Sequence, residues 1–334
     1  MNLRKSYYLL STLLLLGAAF LALSPSFVQP DFILPKRVDS LFVIYETETA
    51  HRVNQQADTL PLAAPLFNPG ELGLAYEQLR VYTSDSIVLH GWYVPCTDTN
   101  ANTLLLVHDL NDSKLRLLDA VKQFHDRGLH VAVFDLRAHG ESEGKIFSPG
   151  MIAVEDLKHV TDALLRRAET KHICLMGYGI GSAIVLQSAV VDGRADALVL
   201  QSPFANLENY LARYAYAKWG RLKPLWYPVF HRKTEQLLGH PVEAMDLPLL
   251  ASVVKTPTLV VTGSEDELVF PTESLAVFDS SAAPKKDLLL IRKAGHQNID
   301  ELGGAEYYNR IAAFLVTAVP RKQQKTRFKR LAQL

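Results

Sequence analysis

Two residues with complementary chemistry, Asp266 and His296, each follow an apolar run that is typical of a buried strand, in TLVVTGSEDELVF and LLLIRKAGHQN. Functional groups gather at the carboxyl ends of parallel strands, so we expect these side chains to meet in one cleft. A carboxylate bonded to one imidazole nitrogen fixes the tautomer and leaves the other nitrogen as a base. The pair is therefore either a general base for water or an acidic substrate proton, or a relic that holds two loops together.

Short apolar runs alternate with helix-length amphipathic segments, which predicts an α/β fold with a mostly parallel sheet covered on both faces. Residues 79–95 form two alternating runs around a Ser-Asp-Ser turn, a pattern typical of an antiparallel hairpin. The interval 206–250 is longer than a crossover needs and indicates a helical insertion or lid. The apolar runs are NTLLLVHDL, HVAVFDLR, HICLMGYG, ADALVLQSP, TPTLVVTGS and KDLLLIRKAG, and the clearest predicted helices span 112–127, 151–169 and 301–317.

The composition is that of a folded globular protein. With 334 residues, 48% of them hydrophobic, and two cysteines, the chain is neither disordered, nor collagen-like, nor a disulfide scaffold. Its 35 basic and 35 acidic side chains cancel, so no overall attraction to nucleic acid exists and none is expected as a partner. Cys174 lies inside an apolar run, which favours a buried free thiol over a bridge to Cys96.

Residues 1–27 have the pattern of a signal anchor or signal peptide. Arg4 and Lys5 precede the uncharged, leucine-rich stretch 7–23. This stretch is short for a spanning helix of about 20 apolar residues and long for a cleaved apolar region of about 7 to 15. We favour an uncleaved membrane anchor with the globular domain outside the cytoplasm. Cleavage would instead release a secreted or periplasmic protein.

Two further segments flank the predicted globular domain. Residues 28–67 are rich in proline and polar residues, which indicates a linker that ends in a docking segment. The tail, residues 319–334, carries six Lys or Arg residues after Pro320 and no acidic residue. It either contacts an anionic membrane surface or is a solvated chain end.

The order of the elements and their loops resembles the α/β-hydrolase superfamily, specifically its esterase, lipase and serine-aminopeptidase-like branch. The resemblance covers about residues 68–318 and includes VFDLRAHGESEG, which is similar to that branch's D-x-R-G-x-G-x-S-x-G loop with Ala138 at a usual glycine. It implies an α/β-hydrolase fold and a catalytic pairing of Asp266 with His296. Residues 177–181, Gly-Tyr-Gly-Ile-Gly, match the branch's G-x-S-x-G nucleophile turn.

The resemblance assigns the nucleophile position to Gly179. Glycine has no side chain, so it cannot act as a serine, cysteine or aspartate nucleophile, and ordinary acyl-enzyme hydrolysis is not expected. It does relieve the backbone strain of the turn, which costs about 1 to 3 kcal/mol for other residues. Ser182, about 4.5 Å further along the following helix, is expected to hydrogen-bond within the first helical turn rather than to replace the nucleophile.

A second departure lies in VHDLND, where Asp109 stands at the position of a glycine that is usual in the branch. The N–H groups of Leu110 and Ile180 match the family's oxyanion-hole donors. A carboxylate beside them opposes a developing oxyanion unless it turns into solvent or becomes protonated. His108 is expected to be a structural loop residue rather than a base.

A nucleotide cofactor is not expected. Gly177, Gly179 and Ser182 approximate the dinucleotide fingerprint, but that motif needs an acidic residue about 20 positions on, and the next strand ends in Gln201 and Ser202. We expect no other cofactor and no metal. Three functions stay open: a binding protein for a small apolar or acyl ligand, an enzyme that uses the Asp–His pair without a covalent intermediate, and an ester, lipid or peptide hydrolase with an unexpected nucleophile.

Overall fold

Eight strands form a single sheet in the computed structural model, which describes residues 67–319. Their order across the sheet is β1-β2-β4-β3-β5-β6-β7-β8; β2 pairs antiparallel with β1 and with β4, and all later pairings are parallel. The predicted hairpin and the predicted mostly parallel sheet are confirmed. The strands are β1 (Glu77–Tyr82), β2 (Val88–Val94), β3 (Thr103–Val107), β4 (His130–Phe134), β5 (Ile173–Tyr178), β6 (Ala197–Gln201), β7 (Thr258–Gly263) and β8 (Lys286–Ile291).

Helices cover both faces of this sheet. The helix predicted over 112–127 begins only at residue 118, because Asn111 has a φ of +53° and the Lys114 backbone N–H donates to Asp135 Oδ1 at 2.8 Å, so the chain turns here instead. The helices are α1 (Leu118–His125), α2 (Met151–Leu165), α3 (Ile180–Val191), α4 (Leu207–Trp219), α5 (Lys223–Leu238), α6 (Leu247–Ala251), α7 (Pro271–Ser280) and α8 (Ile299–Ala318). Short 3-10 turns span Pro69–Leu72, Gly220–Leu222 and Val242–Ala244.

The core consists of two apolar layers, one on each face of the sheet. Successive strand side chains point to opposite faces, so Leu105 of β3 packs in the layer beneath α2 and α3, whereas Leu104 and Leu106 pack in the layer beneath α1 and α8. All residues of β3 to β7 are buried, as the continuous apolar runs predict. Both cysteines are free, and Cys174 is fully buried.

The loop after β4 is held by its charged residues. The Arg137 guanidinium donates to both carboxylate oxygens of buried Asp156, at 2.8 and 2.7 Å, and to Asp85 in the turn of the β1–β2 hairpin, at 2.6 and 3.0 Å. Ala138 has a φ of +64°, a conformation that favours the glycine usual at this position in the branch that the sequence resembles. The Arg137 bonds fix the loop between α2 and the turn of the β1–β2 hairpin.

Residues 206–250, here called the insertion, form α4, α5 and most of α6 between β6 and β7. An antiparallel bridge pairs Asn206 with Asp246 and closes the base of the insertion. Both residues also cap helices: Asn206 Oδ1 accepts from the backbone N–H of Asn209 at 2.9 Å, and Asp246 Oδ1 from that of Leu249 at 2.8 Å.

Within residues 67–319, we find no helix with the length and apolar character that a membrane span requires. The predicted anchor in residues 1–27 lies outside the described residues. The same holds for nearly all of the predicted linker and basic tail.

Candidate active site

The turn between β5 and α3 has the tight geometry that its three glycines suggest. Gly179 has a φ of +51° and a ψ of −113°, and its N–H donates to the Gln201 carbonyl at 2.9 Å. A Cβ on Gly181 would lie 2.3 Å from the backbone oxygen of Val107, so α3 packs directly on the end of β3. The turn therefore brings Gly179 beside the loop that follows β3.

The side chain of Asp109 fills the space that a nucleophile would occupy. A Cβ built on Gly179 would lie 2.2 Å from Asp109 Oδ1 and 2.3 Å from both Cγ and Oδ2. These separations are far inside van der Waals contact, so a side chain at 179 is incompatible with the observed position of this carboxylate. The two differences from the family pattern therefore meet in space. Gly179 lacks the side chain of the usual nucleophile, and the side chain of Asp109, at a position where glycine is usual, fills the space.

Asp109 also takes both predicted oxyanion donors. Its Oδ1 accepts from the backbone N–H of Leu110 at 2.7 Å and from that of Ile180 at 2.8 Å. Ile180 is the first residue of α3, where the helix dipole also favours a negative charge. The carboxylate turns inward rather than into solvent, with its side chain 15% exposed. The chain's own oxygen therefore lies where an acyl oxyanion would bind.

His296 lies between two carboxylates. Its Nδ1 is 2.8 Å from Asp266 Oδ2, and its Nε2 is 2.9 Å from Asp109 Oδ2. The structure thus brings Asp266 and His296 together and adds Asp109 as a third member. We call these three residues the carboxylate–histidine chain.

Asp266 is fixed by donors from its own loop and from the end of β6. Its Oδ1 accepts from the backbone N–H groups of Leu268 and Val269 at 3.0 and 2.8 Å. Its Oδ2 accepts from the Ser202 hydroxyl at 2.9 Å as well as from the imidazole. Sequence reasoning did not identify Ser202 as a partner, because only folding brings β6 beside the loop after β7.

The two carboxylates determine the protonation state of His296. Burial alone would lower the pKa of this imidazole, but the hydrogen bonds and charges of Asp109 and Asp266 outweigh burial and raise the pKa to about 10. At neutral pH the ring is therefore a cation that donates from both nitrogens. It offers no lone pair for a general base while Asp109 stays in place. With two carboxylates, the carboxylate–histidine chain has a net charge of −1.

The side chains of Ser182 and His108 are buried and hydrogen-bonded to backbone groups. The Ser182 hydroxyl is fully buried, 2.7 Å from the Gly177 carbonyl and 2.8 Å from that of Gln201. His108 donates from Nδ1 to the carbonyl of Asp109 at 2.7 Å, and its Nε2 accepts from a backbone N–H at 2.9 Å. Burial lowers the pKa of His108 to about 4, so the ring is neutral. Neither residue faces a site where it could attack or deprotonate a substrate.

Tyr210 of α4, in the insertion, lies near enough to Asp109 and Asp266 for their charges to act on its phenol. The side chain is 1% exposed. Burial raises the pKa of its phenol well above the usual range, and the nearby charges of Asp109 and Asp266 raise it further.

The carboxylate–histidine chain does not offer ligand atoms that converge on one cation. Among the described residues, the His and carboxylate groups whose ligand atoms do so are Glu208, His231 and Glu243, which belong to the insertion.

Comparisons with known proteins agree with this architecture. Residues 98–244 match the family model described as "Serine aminopeptidase, S33". An uncharacterised protein of Mycobacterium tuberculosis is 30% identical over 264 residues, covering 78% of this chain and 86% of that protein. A Saccharomyces cerevisiae protein named as an uncharacterised membrane protein is 22% identical over 249 residues, covering 74% and 82%. The solved structure of an esterase from Pyrococcus furiosus superposes with a TM-score of 0.63 at 22% identity, covering 78% of this chain and 99% of the esterase.

Proposed function

This chain belongs to the serine aminopeptidase-like branch of the α/β-hydrolase superfamily, and from that premise we propose that it binds a neutral acyl ligand without acyl-enzyme hydrolysis. The observation that carries the proposal is the position of Asp109. Its carboxylate takes the space of the nucleophile, both oxyanion donors and the free nitrogen of His296. Each component that acyl transfer requires is therefore absent or already bonded to another protein group.

Charge and apolar surface support this ligand class. The net charge of −1 on the carboxylate–histidine chain repels an anionic ligand and tolerates a neutral one. Leu222, Leu225 and Val229 are 57, 53 and 43% exposed, and their spacing of three and four residues aligns them on one side of the insertion. An apolar face of this kind suits contact with an acyl chain.

The test is calorimetric titration with a monoacylglycerol and with the fatty acid anion of the same chain length. We expect the neutral ligand to bind and the anion to bind at least about 10-fold more weakly at neutral pH. Leu225→Ser should weaken binding at least about 5-fold through lost apolar contact. Val316→Ser, at a residue of α8 that is 51% exposed, is the matched control and should change nothing. Release of glycerol from the bound ligand, or failure of both ligands to bind, contradicts the proposal.

We further propose that residues 1–27 anchor the protein in a membrane, with the globular domain outside the cytoplasm. The leucine-rich stretch 7–23 supports this localisation, as does the membrane-protein name of the yeast relative. The basic tail after Pro320 would add attraction to anionic lipid.

A second candidate function uses Asp109 itself as a nucleophile toward a carbon electrophile such as an alkyl halide. The carboxylate displaces the halide and forms an alkyl ester of Asp109, and halide leaves with the electron pair of the broken bond. Esterification removes the charge of Asp109, so the pKa of His296 falls and the ring becomes a base. Water then adds to Cγ, the N–H groups of Leu110 and Ile180 hold the oxyanion, and alcohol, a proton and the original carboxylate result.

Isotope incorporation distinguishes this candidate from simple binding. Single-turnover reaction with an alkyl halide in H2¹⁸O should place ¹⁸O in the Asp109 carboxylate, visible by mass spectrometry of the peptide that contains it. His296→Gln should instead accumulate the alkyl ester on Asp109, because no base activates water. An unlabelled and unmodified Asp109 in both proteins eliminates the nucleophile role and leaves the binding proposal intact.

A further inference from the structure

We propose that the insertion contains a binding site for a first-row divalent metal ion, formed by Glu208, His231 and Glu243. This inference goes beyond the proposed function and does not rest on it. The three side chains come from three separate pieces of the insertion, namely α4, α5 and the 3-10 turn Val242–Ala244. A bound ion would therefore join the two long helices of the insertion to the turn that follows them.

The ligand atoms have the separations that a small coordination sphere requires. Glu208 Oε2 lies 2.9 Å from His231 Nε2, and Nε2 lies 3.7 Å from Glu243 Oε1. All three groups can present a ligand atom within 4.8 Å of the others. A tetrahedral ion with bonds of about 2.0 to 2.2 Å holds its ligand atoms about 3.3 Å apart. Glu243 is 61% exposed, so its side chain is free to rotate and to shorten the 3.7 Å separation from His231 Nε2 to the distance that the ion requires.

The contact between Glu208 and His231 is not a hydrogen bond. Glu208 Oε2 is shielded from solvent and has no hydrogen-bond partner, although the imidazole Nε2 is only 2.9 Å away. A shielded carboxylate oxygen without a donor is costly unless a cation or a proton donor faces it. This oxygen faces the imidazole without bonding to it, and a cation bound between the two side chains would satisfy both groups.

Partners on the outer side orient both inner ligands. The Tyr227 hydroxyl donates to Glu208 Oε1 at 2.8 Å, which leaves Oε2 for the ion. Glu235 Oε2 lies 3.6 Å from Nδ1 of His231, on the side of the ring away from Glu208. A carboxylate at that nitrogen favours the tautomer with hydrogen on Nδ1 and a lone pair on Nε2. This arrangement of carboxylate, imidazole and metal recurs in zinc sites.

The ligand set selects the class of ion. An imidazole with two carboxylates suits Zn²⁺, Fe²⁺ or Mn²⁺ better than Mg²⁺ or Ca²⁺, which prefer oxygen ligands alone. Two carboxylates balance the charge of a divalent ion. Three protein ligands leave one coordination position for water.

The test uses the full chain without a polyhistidine tag, stripped of metal by a chelator. Zn²⁺ titration by calorimetry should give one site per chain, and Co²⁺ should give the intense visible absorption of a tetrahedral centre with nitrogen and oxygen ligands. His231→Gln and Glu243→Gln should each weaken Zn²⁺ binding at least about 100-fold, and Tyr227→Phe about 10-fold. Because Glu243 is largely exposed, its substitution is not expected to impair folding.

His125→Gln is the matched control. His125 also pairs with a neighbouring carboxylate, at 3.4 Å, but lies in α1 outside the insertion, and its loss should leave Zn²⁺ affinity unchanged. The proposal is overturned if Co²⁺ gives only the weak spectrum of an octahedral ion, if Zn²⁺ binding survives His231→Gln, or if no stoichiometric binding occurs.

Discussion

The double variant Asp109→Gly/Gly179→Ser should become covalently labelled by a fluorophosphonate and should hydrolyse short acyl esters, whereas Gly179→Ser alone should do neither. In the single variant the new Cβ would lie 2.2 Å from Asp109 Oδ1 and 2.3 Å from Cγ. The serine therefore clashes with the carboxylate, and the oxyanion donors stay occupied. Removal of the Asp109 side chain frees the space, both N–H groups and His296 Nε2 at once.

The expected gain in hydrolytic activity follows from the groups that removal of the Asp109 side chain sets free. One oxyanion donor contributes about 10² to 10³ in kcat in serine hydrolases, and two are freed here. Loss of Asp109 also removes one of the two carboxylates that raise the pKa of His296, so the ring can accept a proton from serine. We expect kcat/KM of the double variant to exceed that of either single variant at least about 100-fold. Coupled effects of this kind are not additive.

Two further substitutions, one at His296 and one at Ser182, serve as controls for the double variant. Addition of His296→Ala should abolish the gained turnover, while Ser182→Ala should leave it unchanged, because the Ser182 hydroxyl is buried against backbone carbonyls. Equal activity in Gly179→Ser and in the double variant would mean that Asp109 moves aside readily and does not block the site. An inert but folded double variant would mean that the two N–H donors are misaligned for acyl substrates.

The pattern of apolar residues predicted the sheet well, because a strand that is buried on both faces is a continuous apolar run in the sequence. Runs such as residues 103–107 and 173–178 are continuous apolar segments, and each is a fully buried strand. Helix boundaries depend on contacts that are distant in sequence. The first turn of the helix predicted from residue 112 is lost to the bond between Lys114 and Asp135, 21 positions away, which no local pattern encodes.

The candidate site was predictable in its members but not in its connections. Spacing and resemblance identified Asp266, His296 and the donors at Leu110 and Ile180. They did not reveal that Asp109 fills the gap above Gly179, because the bonded atoms of Asp109 and Ile180 are 71 positions apart in sequence. The sequence did contain one indication of this contact: a residue with a side chain, Asp109, stands where the branch has glycine, and a glycine, Gly179, stands where the branch has serine. The two changes, at Asp109 and Gly179, lie next to each other in the folded site, so each one accommodates the other.

The stability of the protein should fall as the pH rises from about 6.5 to about 10, and Asp109→Asn should flatten this dependence. His296 has a folded-state pKa raised from 6.5 to about 10 by its two carboxylate partners, despite the opposing effect of burial. A group whose pKa is higher in the folded state stabilises that state fully below the unfolded pKa. The contribution is lost as pH rises through the folded pKa. Deprotonation of the ring would leave Asp109 and Asp266 without the cation between them.

The measurement combines urea unfolding across this pH range with an NMR titration of the His296 ring. In Asp109→Asn the imidazole keeps only Asp266 as a charged partner, so its pKa should move down toward or below the ordinary value of about 6.5. His296→Gln should flatten the stability profile in the same way and should not flatten it further when combined with Asp109→Asn, since both changes remove one shared interaction. A profile that stays equally steep in both variants would assign the pH dependence to other groups, such as the buried tyrosines. A natural protein whose His296 titrates near 6.5 would mean that Asp109 does not hold the ring as a cation, and that the ring is available as a base after all.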